Sequence, residues 1–138
     1  AMNHSLLKDI ASASEKIALL YEGREFAKAL RTIMELADKV NGFVDENKPW
    51  EIAKDPAREA DLQKICSVTL EAFRMLSLYL KPIIPTVATG VEEFLSLPPQ
   101  SWSDIATPLS SKNPIKPYKH LMTRVEAPQI EALLAANL

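Results

Sequence analysis

The sequence is poor in the residues that most catalytic and cross-linked scaffolds depend on: it has one cysteine, two histidines and three glycines in 138 residues. A single cysteine excludes an intramolecular disulfide and makes a reducing, cytoplasmic compartment the simplest expectation. The glycines form no phosphate-cradling loop or nucleophile elbow. His4 and His120 stand at opposite ends of the chain, so no zinc spacing and no His–Cys pair can be argued. Charge of one sign is lacking too. With a formal net charge of −2 there is no broad cationic field, so DNA is not expected as a partner and any nucleic-acid contact must be local. No apolar run approaches the roughly 18 residues of a membrane-spanning helix, and the first residues lack the order of a signal peptide. Ala1-Met2 reads as a remnant of tag removal and is set aside.

What is present suits one soluble helical domain: 47% of residues are apolar and 25% charged. Leu6, Ile10, Ala13, Ile17 and Leu20 recur at helical spacing and predict a first helix to about Glu22, with Gly23 as a left-handed cap or tight turn. Phe26, Leu30, Ile33, Ala37, Val40 and Val44 predict a second helix ending near Glu46, because Pro49 biases Lys48 away from helical geometry. Asn41-Gly42, the sole hairpin-like dipeptide, lies inside this helical pattern. Asp55-Pro56 reads as an N-cap followed by proline at the first helical position. The third helix then carries an apolar stripe of Leu62, Ile65, Cys66, Thr69, Phe73, Leu76 and Leu80, widened by Leu70, Leu78 and Tyr79. It is expected to be central, with Cys66 a small buried hydrophobe.

Pro82 and Pro85 end that helix, and Val87, Val91, Phe94 and Leu95 predict a shorter fourth. From Gln100 to Tyr118 the chain is punctuated by prolines and is expected to lie on the bundle, pinned by Trp102, Ile105 and Leu109. Leu121, Met122 and Val125 form a short extended segment, and Pro128 opens a last small helix with Ile130, Leu133 and Leu134. Acidic residues are assigned to solvated helix faces, and no active site is seen. The expected fold is all-α: an antiparallel bundle of about four main helices over residues 3–99, with an irregular C-terminal arm and short terminal helix over 100–138 packed on it.

The stretch REFAKALRTIMELADKVNGFVDENKPWEIAK, from Arg24 to Lys54, resembles the anticodon-binding domain of bacterial-type methionyl-tRNA synthetases. The likeness continues through Arg58 to Gln63, through FRMLSLYLKPIIP from Phe73 to Pro85, to Trp102 and to HLMTRVE from His120 to Glu126. The resemblance implies a bundle that grips the anticodon loop of methionine tRNA, with Trp50 as a platform for the first anticodon base and Pro49 fixing the backbone that enters it. Stacking on an aromatic ring contributes about 1–3 kcal/mol without net positive charge, which suits this chain. Lys54, Lys48 and Arg124 are candidate contacts to tRNA, Arg124 being equally a candidate contact to the catalytic body, while Trp102 is assigned to packing of the arm.

The family's first bundle helix, with its base-reading Asn and Arg, is expected to precede this chain, and Asn3 and Arg24 do not match them. The motifs of the catalytic domain and the C-terminal β-barrel module are not found either. The fragment is therefore expected to be non-catalytic and without a cofactor of its own. The parent would be an ATP-dependent methionine-tRNA ligase, with zinc as a candidate second cofactor, and its catalytic domain would be a partner. Two alternatives stand beside this reading: a helical protein-interaction module, and the equivalent domain of another class I aminoacyl-tRNA synthetase.

Overall fold

The computed structural model describes residues 4–109, 114–117, 119–122 and 124–136. Expectations for Ala1, Met2, Asn3 and Tyr118 lie outside them. Among the described residues every regular element is helical, as expected: α1 (Ser5–Ser12), α2 (Ser14–Glu22), α3 (Phe26–Asn47), α4 (Pro49–Ile52), α5 (Glu59–Leu80), α6 (Pro85–Phe94) and α7 (Ala127–Ala136). Short 3-10 turns cover Pro56–Arg58 and Trp102–Ala106. No helix among these residues is long and apolar enough to cross a membrane.

The helix α5 is central, packing against α1, α3, α4, α6 and both 3-10 turns. Its core-facing residues are Ile65, Val68, Ala72, Met75, Leu78 and Tyr79. This corrects the expected stripe: Leu62, Thr69, Phe73, Leu76 and Leu80 are only half-buried, and Cys66 is exposed. In this part of α5 only a narrow stripe is covered: Ile65 and Val68 face inward, and Cys66 shares the open side with the exposed Lys64 and Ser67. With Leu7, Ile10 and Ile17 from α1 and α2 and Ile33 from α3, Val68, Ala72, Met75, Leu78 and Tyr79 of α5 form one core. Burying each such large side chain contributes roughly 1.5–3 kcal/mol.

The single first helix expected to Glu22 is broken at Ala13 (φ −80°, ψ −6°). Ser12 Oγ donates to the Asp9 carbonyl at 2.8 Å, a side-chain bond of the kind that competes with helix geometry. The break is used by the core. Tyr79, fully buried, donates its hydroxyl to the Ile10 carbonyl at 2.6 Å, Tyr21 donates to the Tyr79 carbonyl at 2.6 Å, and Trp102 Nε1 donates to the Ser14 carbonyl at 3.3 Å. Burial pushes the Tyr79 phenol up to about 12.

Helix ends follow the expected chemistry. Of the two readings for Gly23, the tight turn is what is found: it has φ −77°, and Arg24 beside it takes the left-handed φ of 58°. Glu25 N donates to Leu20 O and Arg24 N to Tyr21 O, the two bonds of a Schellman ending with Arg24 in the position glycine usually fills. Asp55 caps as expected, accepting from Ala57 N at 3.0 Å.

The arm is fastened by charge as well as by apolar contact. Glu71 and Arg74, each 2% exposed, pair at 3.1 Å on α5. Arg74 also donates to the carbonyls of Asp104 (2.8 Å) and Ile105 (3.1 Å), and Glu71 accepts from Leu109 N. Lys81 bridges Glu92 at 2.9 Å and the Gln100 carbonyl at 2.8 Å. The assignment of all acidic residues to solvated faces is thus corrected for Glu71 and Glu92, which are buried because the arm brings backbone donors to them. Trp102 and Ile105 do pin the arm, and Leu109 is half-buried. The packing expected of the terminal helix is not seen: α7 buries none of its residues, and Ile130, Leu133 and Leu134 are exposed.

Candidate functional site

The longest helix before the centre, α3, ends one residue before another begins. Asn47 donates its side-chain amide to the Phe43 carbonyl at 2.8 Å, Lys48 N donates to Val44 O at 2.9 Å, and there α3 stops. Lys48 adopts φ 45°, ψ 63°, the left-handed region. Pro49 explains why Lys48 cannot stay helical, since its ring crowds the preceding residue; the expected departure from helix is present, in its left-handed form. The Lys48 carbonyl then accepts from Glu51 N at 2.9 Å and Ile52 N at 3.3 Å, opening α4 with Pro49 at its first position.

This one-turn helix has a buried side and an open side. Ile52 is 4% exposed and packs α4 against α5, whereas Trp50 is 53% exposed. An indole carries a large apolar surface with a polar edge, and here half of it is left open to solvent on a proline-led turn of helix. Lys48, Glu51, Lys54 and Asp55 are exposed around it, giving a rim of both signs rather than a cationic patch.

The structure therefore brings Pro49, Trp50 and Lys54 together in one corner. Arg124 is exposed, two residues before Glu126 and just ahead of α7. Trp102 has the structural role assigned to it: its ring lies 5.2 Å from Tyr79 and 6.1 Å from Tyr21, centroid to centroid. Two contributors were missed from sequence, Lys48 as a left-handed hinge and Ile52 as the wedge. The signal for the first was Asn47-Lys48-Pro49, where helix must end and restart without a spacer. Among the described residues no group of three His, Cys, Asp or Glu side chains could hold a metal ion.

Fold and corner together describe an all-helical domain with a half-exposed indole on a one-turn helix. A family model described as the anticodon binding domain of methionyl tRNA ligase matches residues 1–129, and the chain belongs to that family. Among its relatives, the methionine–tRNA ligase of Cupriavidus pinatubonensis is 56% identical over 137 residues, which is 99% of this chain and 20% of that protein. That of Burkholderia vietnamiensis is 59% identical over the same length, 19% of that protein. The chain thus spans about a fifth of the length of these relatives. The fold matches the apo (free-state) structure of Mycobacterium tuberculosis methionyl-tRNA synthetase with a TM-score of 0.80 and 19% identity, covering 91% of this chain and 27% of that one. At that identity the likeness speaks for the fold.

Proposed function

We propose that this domain holds the anticodon loop of methionine tRNA, with Trp50 stacking on a splayed base, so that the rest of the parent enzyme can ligate methionine to that tRNA using ATP. The observation that carries the reading is the half-open indole of Trp50 on a helix fixed by Pro49 and by buried Ile52. Unstacked loop bases expose both their faces and their pairing edges, which is why single-stranded loops are where RNA sequence is read. Lys54 contributes a phosphate contact beside the platform, and Arg124 a contact to the tRNA or to the catalytic body. No residue here does the ligation chemistry. ATP is held elsewhere in the parent, and the place of action is the cytoplasm, where the tRNA is charged.

Residues 3–99 supply the bundle and residues 100–138 the arm that meets the rest of the enzyme. Support for a protein-facing surface comes from the arm, where Met122, Val125, Leu133 and Leu134 are 70%, 72%, 63% and 62% exposed. The catalytic domain of the parent is its partner.

The test is tryptophan fluorescence during titration with a methionine anticodon stem-loop and a scrambled-anticodon control. Saturable quenching by the cognate loop that disappears in Trp50→Ala is expected, since Trp102 is packed against Tyr21 and Tyr79. Equal quenching by both loops, or quenching that survives Trp50→Ala, would sink the assignment.

A further inference from the structure

We infer that Lys48 is a positioning residue for the platform, acting through its left-handed backbone rather than through its charge. The inference rests on the reading of Trp50 just given. Three observations carry it. First, α3 and α4 share Lys48 as their only junction: its N–H closes the last turn of α3 on Val44, and its carbonyl opens α4 by accepting from Glu51 and Ile52. With no spacer to absorb a change, any rotation about the Lys48 φ and ψ swings α4, and Trp50 with it, as a rigid body.

Second, the conformation is one that lysine does not choose. At φ 45° its Cβ crowds the backbone, and among non-glycine residues only Asn, Asp and His are enriched there. Arg24 and Ser96 also take positive φ, at 58° and 55°, so the angle alone does not mark a site; what distinguishes Lys48 is what surrounds it and holds it there. Here the surroundings are identified: the Asn47 side chain bound to Phe43, the Pro49 ring that disfavours right-handed helix at Lys48, and buried Ile52 on the helix that packs against α5.

Third, the arrangement is a two-point mount. Ile52 fixes how deep α4 sits and Lys48 fixes its direction, which leaves the indole exposed yet oriented. Orientation of a binding group before the ligand arrives lowers the ordering cost of binding.

Two substitutions that both remove the charge separate conformation from electrostatics. Lys48→Asn retains ready access to the left-handed region; Lys48→Thr is β-branched and resists it. The methionine anticodon stem-loop is titrated against the intact chain and each variant, with helix content followed by circular dichroism. The emission of Trp50, taken as the difference from Trp50→Ala, is followed in the free protein by anisotropy.

Lys48→Asn is expected to bind within about threefold of the unsubstituted chain, and Lys48→Thr to weaken about tenfold or more as the stacking geometry is lost, with altered Trp50 anisotropy. Equal affinities for the two variants overturn the inference; if both are equally weakened, the charge of Lys48 is what matters. Should Lys48→Thr fail to fold, Lys48→Gly replaces it. Glycine accepts the angle but frees the hinge, so Trp50 anisotropy should fall and binding weaken, and an unchanged anisotropy overturns the inference. A Trp50→Ala variant that binds like the unsubstituted chain removes the platform reading itself, whereas weakened Trp50→Ala with indistinguishable Asn and Thr variants removes only the role of Lys48.

Discussion

At the scale of single residues, Arg74 and Tyr79 are the side chains on which most of the long-range bonding converges. Arg74 is 2% exposed and serves Glu71 and two arm carbonyls at once. Arg74→Met leaves Glu71 as an uncompensated buried charge and should cost about 3–5 kcal/mol, read by urea denaturation, with the emission of Trp102 shifting as the arm loosens. Tyr79 sets a pH dependence. Its phenol is raised from 10.0 to about 12, so the folded state keeps a proton that the unfolded chain loses first. Its contribution is therefore intact below pH 10 and declines as pH rises from 10 towards 12. Thermal melts across that range should show a steeper loss for the unsubstituted chain than for Tyr79→Phe. Neither role was legible in the sequence. Glu71 and Arg74 stand three apart, the same spacing as a solvated surface pair, and only the arm, 26 to 38 residues further on, converts them into a buried one.

At the scale of elements, the periodic runs gave the helices, and their junctions gave less. The expected second helix and the observed α3 differ at the C-terminal end by one residue, because the pattern from Phe26 to Val44 is regular and Pro49 is an unambiguous stop. The kink at Ala13 was hidden, since apolar spacing is continuous across it and only the serines on either side hint at it. Gly23 was read as a left-handed cap or a tight turn; it lies in the turn, and the left-handed residue is the next one, Arg24. Gly42 offers a clean test of propensity. It lies inside α3, and a Cβ built on it meets nothing within 4 Å. Gly42→Ala should therefore stabilise the domain by about 0.5–1 kcal/mol, raising its melting midpoint by a few degrees. A destabilised variant would show that α3 needs its flexibility there.

At the scale of the whole molecule, the net charge of −2 and the exposed indole suggest what kind of RNA contact is possible. If Lys54 and Arg124 are the phosphate contacts, the logarithm of affinity for the anticodon stem-loop should fall with the logarithm of salt at a slope no steeper than about −1.5. A salt series by calorimetry measures this, and a much steeper slope would mean that backbone charge, not stacking, dominates. The candidate corner was legible from Pro49-Trp50 and from family resemblance. The mount that aims it was not, because a backbone angle at Lys48 and the depth of Ile52 are properties of the folded chain.

The exposed thiol of Cys66 has a practical use. It is the sole cysteine of the chain, it faces solvent, and it sits on α5, the helix against which α4 leans. A dye or spin label attached there would occupy one known address without any engineered substitution, and a second label on the RNA would turn docking into a distance readout.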